Sequence, residues 1–214
     1  MTVSQETQLA AMTETQNEKD AARLSNVERL AVHPVGKWHA DHSRFALLLD
    51  LLEQQVDAMH KGRRSDYQLM QSIVHYLRQF PDRFHHPRED VAFARMAERD
   101  PNLQLAIARR LQEHVVIAAA GESLLNCLNE TLAGGKTDQA ALETAAATYL
   151  VYYRHHLAAE EEQVIPGAME LLTPDDWKAV AAIPAEPDPL FGADVDARYV
   201  VLRKRIEDKA NRAA

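Results

Sequence analysis

Through four long stretches of this chain, apolar residues return every three or four positions. Trp38, His42, Phe45, Leu49, Leu52, Val56 and Met59 form the first series, and Gly62 comes just after it. That spacing lines one face of an α-helix, and a glycine just beyond is a stop signal. The second series is Leu69, Ile73, Leu77, Phe80 and Phe84, starting after Ser65 as N-cap and running to about Arg99. Pro81 and Pro87 fall inside it and predict a kink or break, because proline lacks the N–H that a helix interior uses. The third series, Leu103, Ile107, Leu111, His114, Ala118, Gly121, Leu125 and Leu128, opens at Asp100-Pro101 and closes at Gly134-Gly135. The fourth starts near Thr137-Asp138 and carries Leu142, Ala145, Tyr149, Tyr152, His156, Glu160 and Val164 towards Leu172.

Short connections make consecutive helices antiparallel neighbours. The expected fold is therefore all-α, an up-down-up-down antiparallel four-helix bundle over residues 34–172. A polar tail, residues 1–33, precedes it, with a loose helix expected near Ala21 to Leu30. A helical extension, residues 173–214, completes the chain. In that extension Thr173-Pro174-Asp175-Asp176 is expected to cap a short helix containing Trp177. A proline-rich loop from Pro184 to Asp194 then leads to a last amphipathic helix from Asp196 to Asn211.

Composition narrows the function. The chain has 214 residues, 46% of them apolar, enough for one buried core. Its 24 basic and 32 acidic residues leave a formal charge of −8, with no basic cluster on any segment. Nucleic acid and anionic membrane surfaces are therefore poor partners. The single cysteine, Cys127, excludes an intrachain disulfide and a thiolate zinc site. Met1 to Gln8 lack an apolar signal core, and no apolar run is long enough to span a bilayer, so the expected location is the cytoplasm.

Histidine is the anomaly, with ten in the chain. Each of the four helices sets one on or beside its apolar stripe: His42, His85, His114 and His156. Two are followed four residues later by glutamate, as His85 with Glu89 and His156 with Glu160. Positions i and i+4 share a helix face, so two helices offer an imidazole and a carboxylate inward and two offer an imidazole. The interval from His42 to His85 is long, the next short, and that from His114 to His156 long again. In antiparallel helices this alternation brings all four to one level. Burying two carboxylates is costly unless cations compensate them. Two divalent ions would do so, and a glutamate's two oxygens can bridge two metals. Imidazole and carboxylate without thiolate suit non-haem iron, and manganese and zinc also accept this donor set.

The remaining histidines have plainer readings. His33 and His60 sit near helix ends, His75 falls between core residues, and His155 is one residue off the fourth stripe. His39 could share the face of His42. His86 with Asp90 repeats the His-x-x-x-acid spacing one residue along, and Pro87 keeps periodicity from choosing between the two registers. Tyr149, Tyr152 and Tyr153 read as core aromatics, and Cys127 as a small buried residue.

Four segments carry a resemblance to a known family: His-Ala-Asp-His-Ser-Arg-Phe around His42, Phe-His-His-Pro-Arg-Glu-Asp at 84–90, Leu-Gln-Glu-His at 111–114, and His-His-Leu-Ala-Ala-Glu-Glu-Glu-Gln-Val-Ile-Pro at 155–166. Over roughly residues 33 to 172 the sequence resembles the hemerythrin-like, or HHE, cation-binding domains. The resemblance implies two iron ions in an oxo- or hydroxo-bridged centre. It maps the family's ligands onto His42, His85, Glu89, His114, His156 and Glu160, choosing His85 over His86. Asp-Asp-Trp-Lys at 175–178 and Asp-Pro-Leu-Phe-Gly at 188–192 look like a segment of bacterial members.

The chain departs from the oxygen-carrying hemerythrins. Those place a second histidine one turn before the third-helix ligand, where this chain has Arg110, and they end with His and Asp spaced by five. The four-His, two-Glu set is similar to that of iron-sulfur repair di-iron proteins, whose cysteine-containing N-terminal domain has no counterpart here. Ferritin-like proteins use Glu-x-x-His pairs, and this chain has none. The resemblance implies a protein that binds or senses O2, NO or iron. Peroxide is a further small ligand, and a separate redox partner is expected. Two other classes compete: a peroxide- or NO-consuming oxidoreductase or iron-donating repair protein, and a structural bundle without metal.

Overall fold

The computed structural model describes residues 34–135 and 138–213. The tail expected at 1–33, its loose helix and His33 lie outside them, as does Thr137. Every regular element among the described residues is helical. The chain divides into two units between Asp41 and His42, within the first helix, and the second unit, His42–Ala214, contains the core and the histidine cluster.

Helix α1 spans Pro34–His60. Gly62 ends the turn after it at φ +65°, where a side chain would be strained. Helix α2 spans Tyr67–Gln79, and its N-cap is Asp66, one residue past the expected serine. The Asp66 carboxylate accepts from the Leu69 N–H at 3.0 Å, while Ser65 instead donates to the Gln55 carbonyl at 2.9 Å. A cap of this kind contributes about 1 kcal/mol.

The break expected around Pro81 and Pro87 has a definite form. A π-helical turn, Pro81–His85, joins α2 to helix α3, His86–Arg99. The fourth stripe contains the same device. Helix α5, Gln139–Ala159, passes through a π turn, Glu160–Val164, into helix α6, Ile165–Leu171. In both places a proline, Pro87 or Pro166, sits one residue after the first helical position. Proline offers no N–H to the carbonyl four residues back. The backbone widens instead: His86 N–H reaches the Pro81 carbonyl, and Ile165 N–H reaches that of Glu160. Single π turns inside helices occur frequently at functional sites.

Between these pairs runs helix α4, Gln104–Leu132, entered through a 3₁₀ turn, Pro101–Leu103, that Asp100 caps as expected. Gly134 at φ +81° terminates it. Asp138 caps α5 by accepting from the Ala141 N–H at 3.1 Å. Helix α7, Pro174–Ala181, starts in a complete capping box between Thr173 and Asp176. After a segment without helix, a 3₁₀ turn at Ala197–Tyr199 leads into helix α8, Val200–Ala213.

Helix α4 packs along both α2 and α5. Phe45, Leu49, Leu52, Ile73, Leu77, Leu124, Leu128 and Tyr149 meet in one core, which Tyr199, Leu202 and Ile206 join from the C-terminal elements. The fourth stripe differs from expectation at two positions, with Ala146 buried and Ala145 half-buried as the first. Tyr152 is exposed and Tyr153 is buried. The inward face runs Leu142, Ala146, Tyr149, Tyr153, His156, and Tyr152 lies about a hundred degrees off it. Side-chain pairs tie the helices in register. Gln139 donates to the Met59 carbonyl at 3.2 Å, and Arg154 donates to Asp50 at 2.8 Å. Gln71 donates to Asn129 at 2.6 Å, and Arg78 to Glu122 at 2.6 Å.

Candidate metal centre

The six residues singled out by spacing meet in one buried cluster. His42 projects from α1, His85 from the π turn after α2, Glu89 from α3, His114 from α4, His156 from α5 and Glu160 from the second π turn. Each is no more than 7% exposed. The π turns matter here, because each holds one residue of a His-x-x-x-Glu pair. Within the pairs, His85 Nε2 lies 2.9 Å from Glu89 Oε1, and His156 Nε2 lies 3.2 Å from Glu160 Oε2.

Between pairs the contacts close the cluster. His42 Nε2 is 3.0 Å from His85 Nε2, 3.2 Å from Glu89 Oε1 and 3.5 Å from Glu160 Oε2. His114 Nε2 is 3.7 Å from Glu89 Oε2 and 3.5 Å from Glu160 Oε1. Glu89 therefore turns one oxygen towards His42 and His85 and the other towards His114. Two donor groups emerge that share it. His42, His85 and Glu89 form one, and His86, Glu89, His114 and His156 form the other, with ligand atoms within 4.8 Å of one another in each.

The outward edges of three rings are fixed by carboxylates. His42 Nδ1 is 2.7 Å from Glu161 Oε1, His114 Nδ1 is 2.7 Å from Asp90 Oδ1, and His156 Nδ1 is 3.2 Å from Glu113 Oε2. Glu113 is held in turn by Arg110, Nη2 to Oε1 at 2.7 Å. A carboxylate on Nδ1 holds the Nδ1 proton, so that each ring, once neutral, presents its Nε2 lone pair inward, the usual arrangement behind a metal-ligating imidazole.

These partners fall within the sequence motifs but carry no periodic signal of their own. Glu161 and Glu113 each stand one residue from a ligand position, and nothing in the spacing separates them from other charged neighbours. Asp90 is the acid of the competing register, and the structure gives it to His114. Burial places His86 beside the set as well. Its ring stacks on that of His114, with centroids 4.2 Å apart and planes at 13°, and its Nδ1 is 3.4 Å from Asp82. The π turn lets His85 and His86 both face inward, which a regular α-helix would not allow for adjacent residues. Three other histidines take no part: His60 and His155 are exposed, and His75 Nδ1 lies 2.8 Å from the Tyr199 hydroxyl.

Electrostatics marks the cluster as short of positive charge. Burial alone would lower His42, but the Glu161 hydrogen bond and the Glu89 carboxylate raise it to about 10. Burial likewise opposes, and Asp90 and Glu160 together overcome it, at His114, also about 10. Burial pushes His156 down to about 3 despite Glu113. Burial and the neighbouring Glu89 charge push Glu160 up to about 7. Burial also disfavours the Glu89 carboxylate, yet His85 and His42 hold it well below the usual range. Protons thus stand in for cations around two buried carboxylates.

The decisive test of fit is which atoms lack partners. Glu89 Oε2, both Glu160 oxygens, His114 Nε2 and His156 Nε2 are buried with no hydrogen-bond partner. Such groups cost free energy unless something binds them. Deprotonated, all are σ-donors facing one space, and the set of imidazole nitrogens and carboxylate oxygens suits a divalent transition-metal ion. These buried groups can hold a metal.

Comparison with known proteins agrees with this chemistry. No curated protein shows significant similarity to the chain. No helix among the described residues is long and apolar enough to cross a membrane. The profile of the hemerythrin HHE cation-binding domain matches residues 33–168. Since that match covers well over half of the chain, the protein belongs to the hemerythrin HHE cation-binding domain family.

Proposed function

We propose that this protein is a non-haem di-iron protein that binds or senses O2, NO or iron, with His42, His85, Glu89, His114, His156 and Glu160 as its ligands. The observation that carries the reading is the orientation of the donors. Inward Nε2 atoms backed by carboxylates at Nδ1 face carboxylate oxygens that have no other partner. Glu89, common to both donor groups, and Glu160, which lies between His42, His114 and His156, would be the carboxylates shared by the two ions. Each turns its two oxygens towards different imidazoles. Iron is the preferred occupant, and manganese or zinc fits the same donors. Bound iron would supply reversible electron transfer to a small ligand. The chain itself orients the imidazoles, keeps the carboxylates dry and excludes bulk water from the cluster.

The frame of this reading is an up-down-up-down bundle over residues 34–172, with residues 1–33 as a tail and 173–214 as a helical extension. The pairs Met59–Gln139 and His42–Glu161 support antiparallel α1 and α5, and Gln71–Asn129 with Arg78–Glu122 supports antiparallel α2 and α4. The protein acts in the cytoplasm on a small diatomic ligand or peroxide, exchanging electrons with a separate redox partner, without nucleic acid or membrane.

The test is a titration of the reduced, iron-loaded protein with O2 and with NO under anaerobic control, monitored by visible absorption. A saturable adduct that reverses on ligand removal supports binding or sensing. Steady consumption of NO or peroxide with a reductant, or delivery of iron to an apo iron-sulfur protein, would replace this reading with the oxidoreductase or repair function.

A further inference from the structure

One recess outside the donor cluster has a chemistry of its own. About 120 Å³ of space opens between the N-terminal turns of α4 and the second π turn. Its walls are Met96, Leu103, Ile107 and Val164, and its only charged lining residues are Arg109 and Arg110. Arg109 is exposed, whereas Arg110 is only 9% exposed. A guanidinium that deeply placed normally satisfies all its donors. Here Nη2 meets Glu113, and Nη1 is buried with no hydrogen-bond partner. No carboxylate lines the recess, so an anion entering it meets the buried Arg110 Nη1 and the exposed Arg109 with no acidic residue beside them.

We propose that this recess binds a short-chain aliphatic monocarboxylate. The carboxylate accepts from the Arg110 Nη1 group, and the alkyl group lies against Met96, Leu103, Ile107 and Val164. Guanidinium is the side chain best matched to a carboxylate. The four apolar walls favour an alkyl-bearing anion over phosphate or sulfate. The volume equals about four waters at ~30 Å³ each, which limits the ligand to a few carbons. Gln163 at the lining adds a neutral polar group. The site stands apart from the donor cluster and does not depend on metal. Arg110 lies one turn before His114 and Val164 one turn after Glu160, so an occupant would sit beside the centre without using its ligands.

Isobutyrate is a suitable probe, titrated calorimetrically into the full-length protein, both metal-free and as purified, with isobutyramide as the uncharged control. One isobutyrate per chain and no saturable binding of the amide are expected in both forms. Arg110→Gln should weaken isobutyrate binding at least tenfold, as expected for loss of a charge-assisted hydrogen bond. Because Arg110 also holds Glu113, a second variant separates folding from recognition. Ala106 is an exposed residue lining the recess, and Ala106→Phe should abolish binding by filling it while leaving the melting temperature unchanged. Absence of saturable binding to the native chain overturns the proposal. So does binding that survives Ala106→Phe, or that occurs only with metal present, since the carboxylate would then sit on the metal.

Discussion

Loading the metal-free protein with zinc at pH 8 should expel about two protons per chain. His42 and His114, both raised to about 10, carry their protons at that pH. A metal ion needs the same Nε2 lone pairs, so both protons must leave. Glu160, at about 7, has by then largely ionised and adds little, whereas at pH 6 it would bring the release to about three. His156, at about 3, contributes nothing in this range. Two released protons make the overall binding constant rise about a hundredfold per pH unit around pH 8. The same linkage acts on the fold. A histidine with a raised folded-state pKa contributes stability that is present below about 6.5 and lost as pH climbs through about 10. The metal-free protein should therefore weaken between these limits, and the metal-loaded protein should not. Titration calorimetry in buffers of different ionisation enthalpy counts the protons directly. Release below about half a proton at pH 8 would refute the reasoning, because His42 and His114 would then be neutral in the empty cluster.

Three substitutions test other parts of the same geometry. Glu160→Ala removes a carboxylate that approaches His42, His114 and His156, and should cut iron occupancy sharply in elemental analysis; unchanged iron would end its assignment as a bridge. Asp90→Ala frees the His114 ring without touching an inward donor and should lower metal affinity about ten- to a hundredfold in a competition titration, with little change in helicity. Gly121→Ala places a Cβ 2.8 Å from Arg78 Cδ and 2.9 Å from Tyr149 Cε2. Denaturant unfolding should show it less stable by about 1–3 kcal/mol, since buried Tyr149 has nowhere to move; a stabilised variant would contradict that close packing.

The sequence reveals the helices because their apolar periods are long and their ends carry caps and glycines that act locally. Asp100, Asp138 and Thr173 cap where the local pattern puts them, each by accepting a nearby N–H. The inward histidines are legible for the same reason, as polar interruptions in apolar stripes. Periodicity fails where the period itself changes. The π turns at Pro81–His85 and Glu160–Val164 widen the helix by one residue, so a fixed 3.6-residue count loses register there. That widening brings His86 inward beside His85, a placement that neither register alone describes. Tyr152 and Tyr153 differ by one position, and only the packing of Tyr153 against Phe45 and His156 decides between them. Asp90, Glu113 and Glu161 gain their roles from contacts across helices, which one-dimensional spacing does not encode.

The central claim is that the donor cluster is a two-metal site. Its most direct test is the metal content per chain of untagged protein purified without chelators, measured by elemental analysis beside Glu89→Ala. Glu89 is the residue the two donor groups share. About two irons per native chain are expected, by the count of donor groups, and the variant should lose both. Well-folded native protein that holds no metal, even after incubation with ferrous iron under reducing conditions, would contradict the account and leave the six residues as a packed polar core.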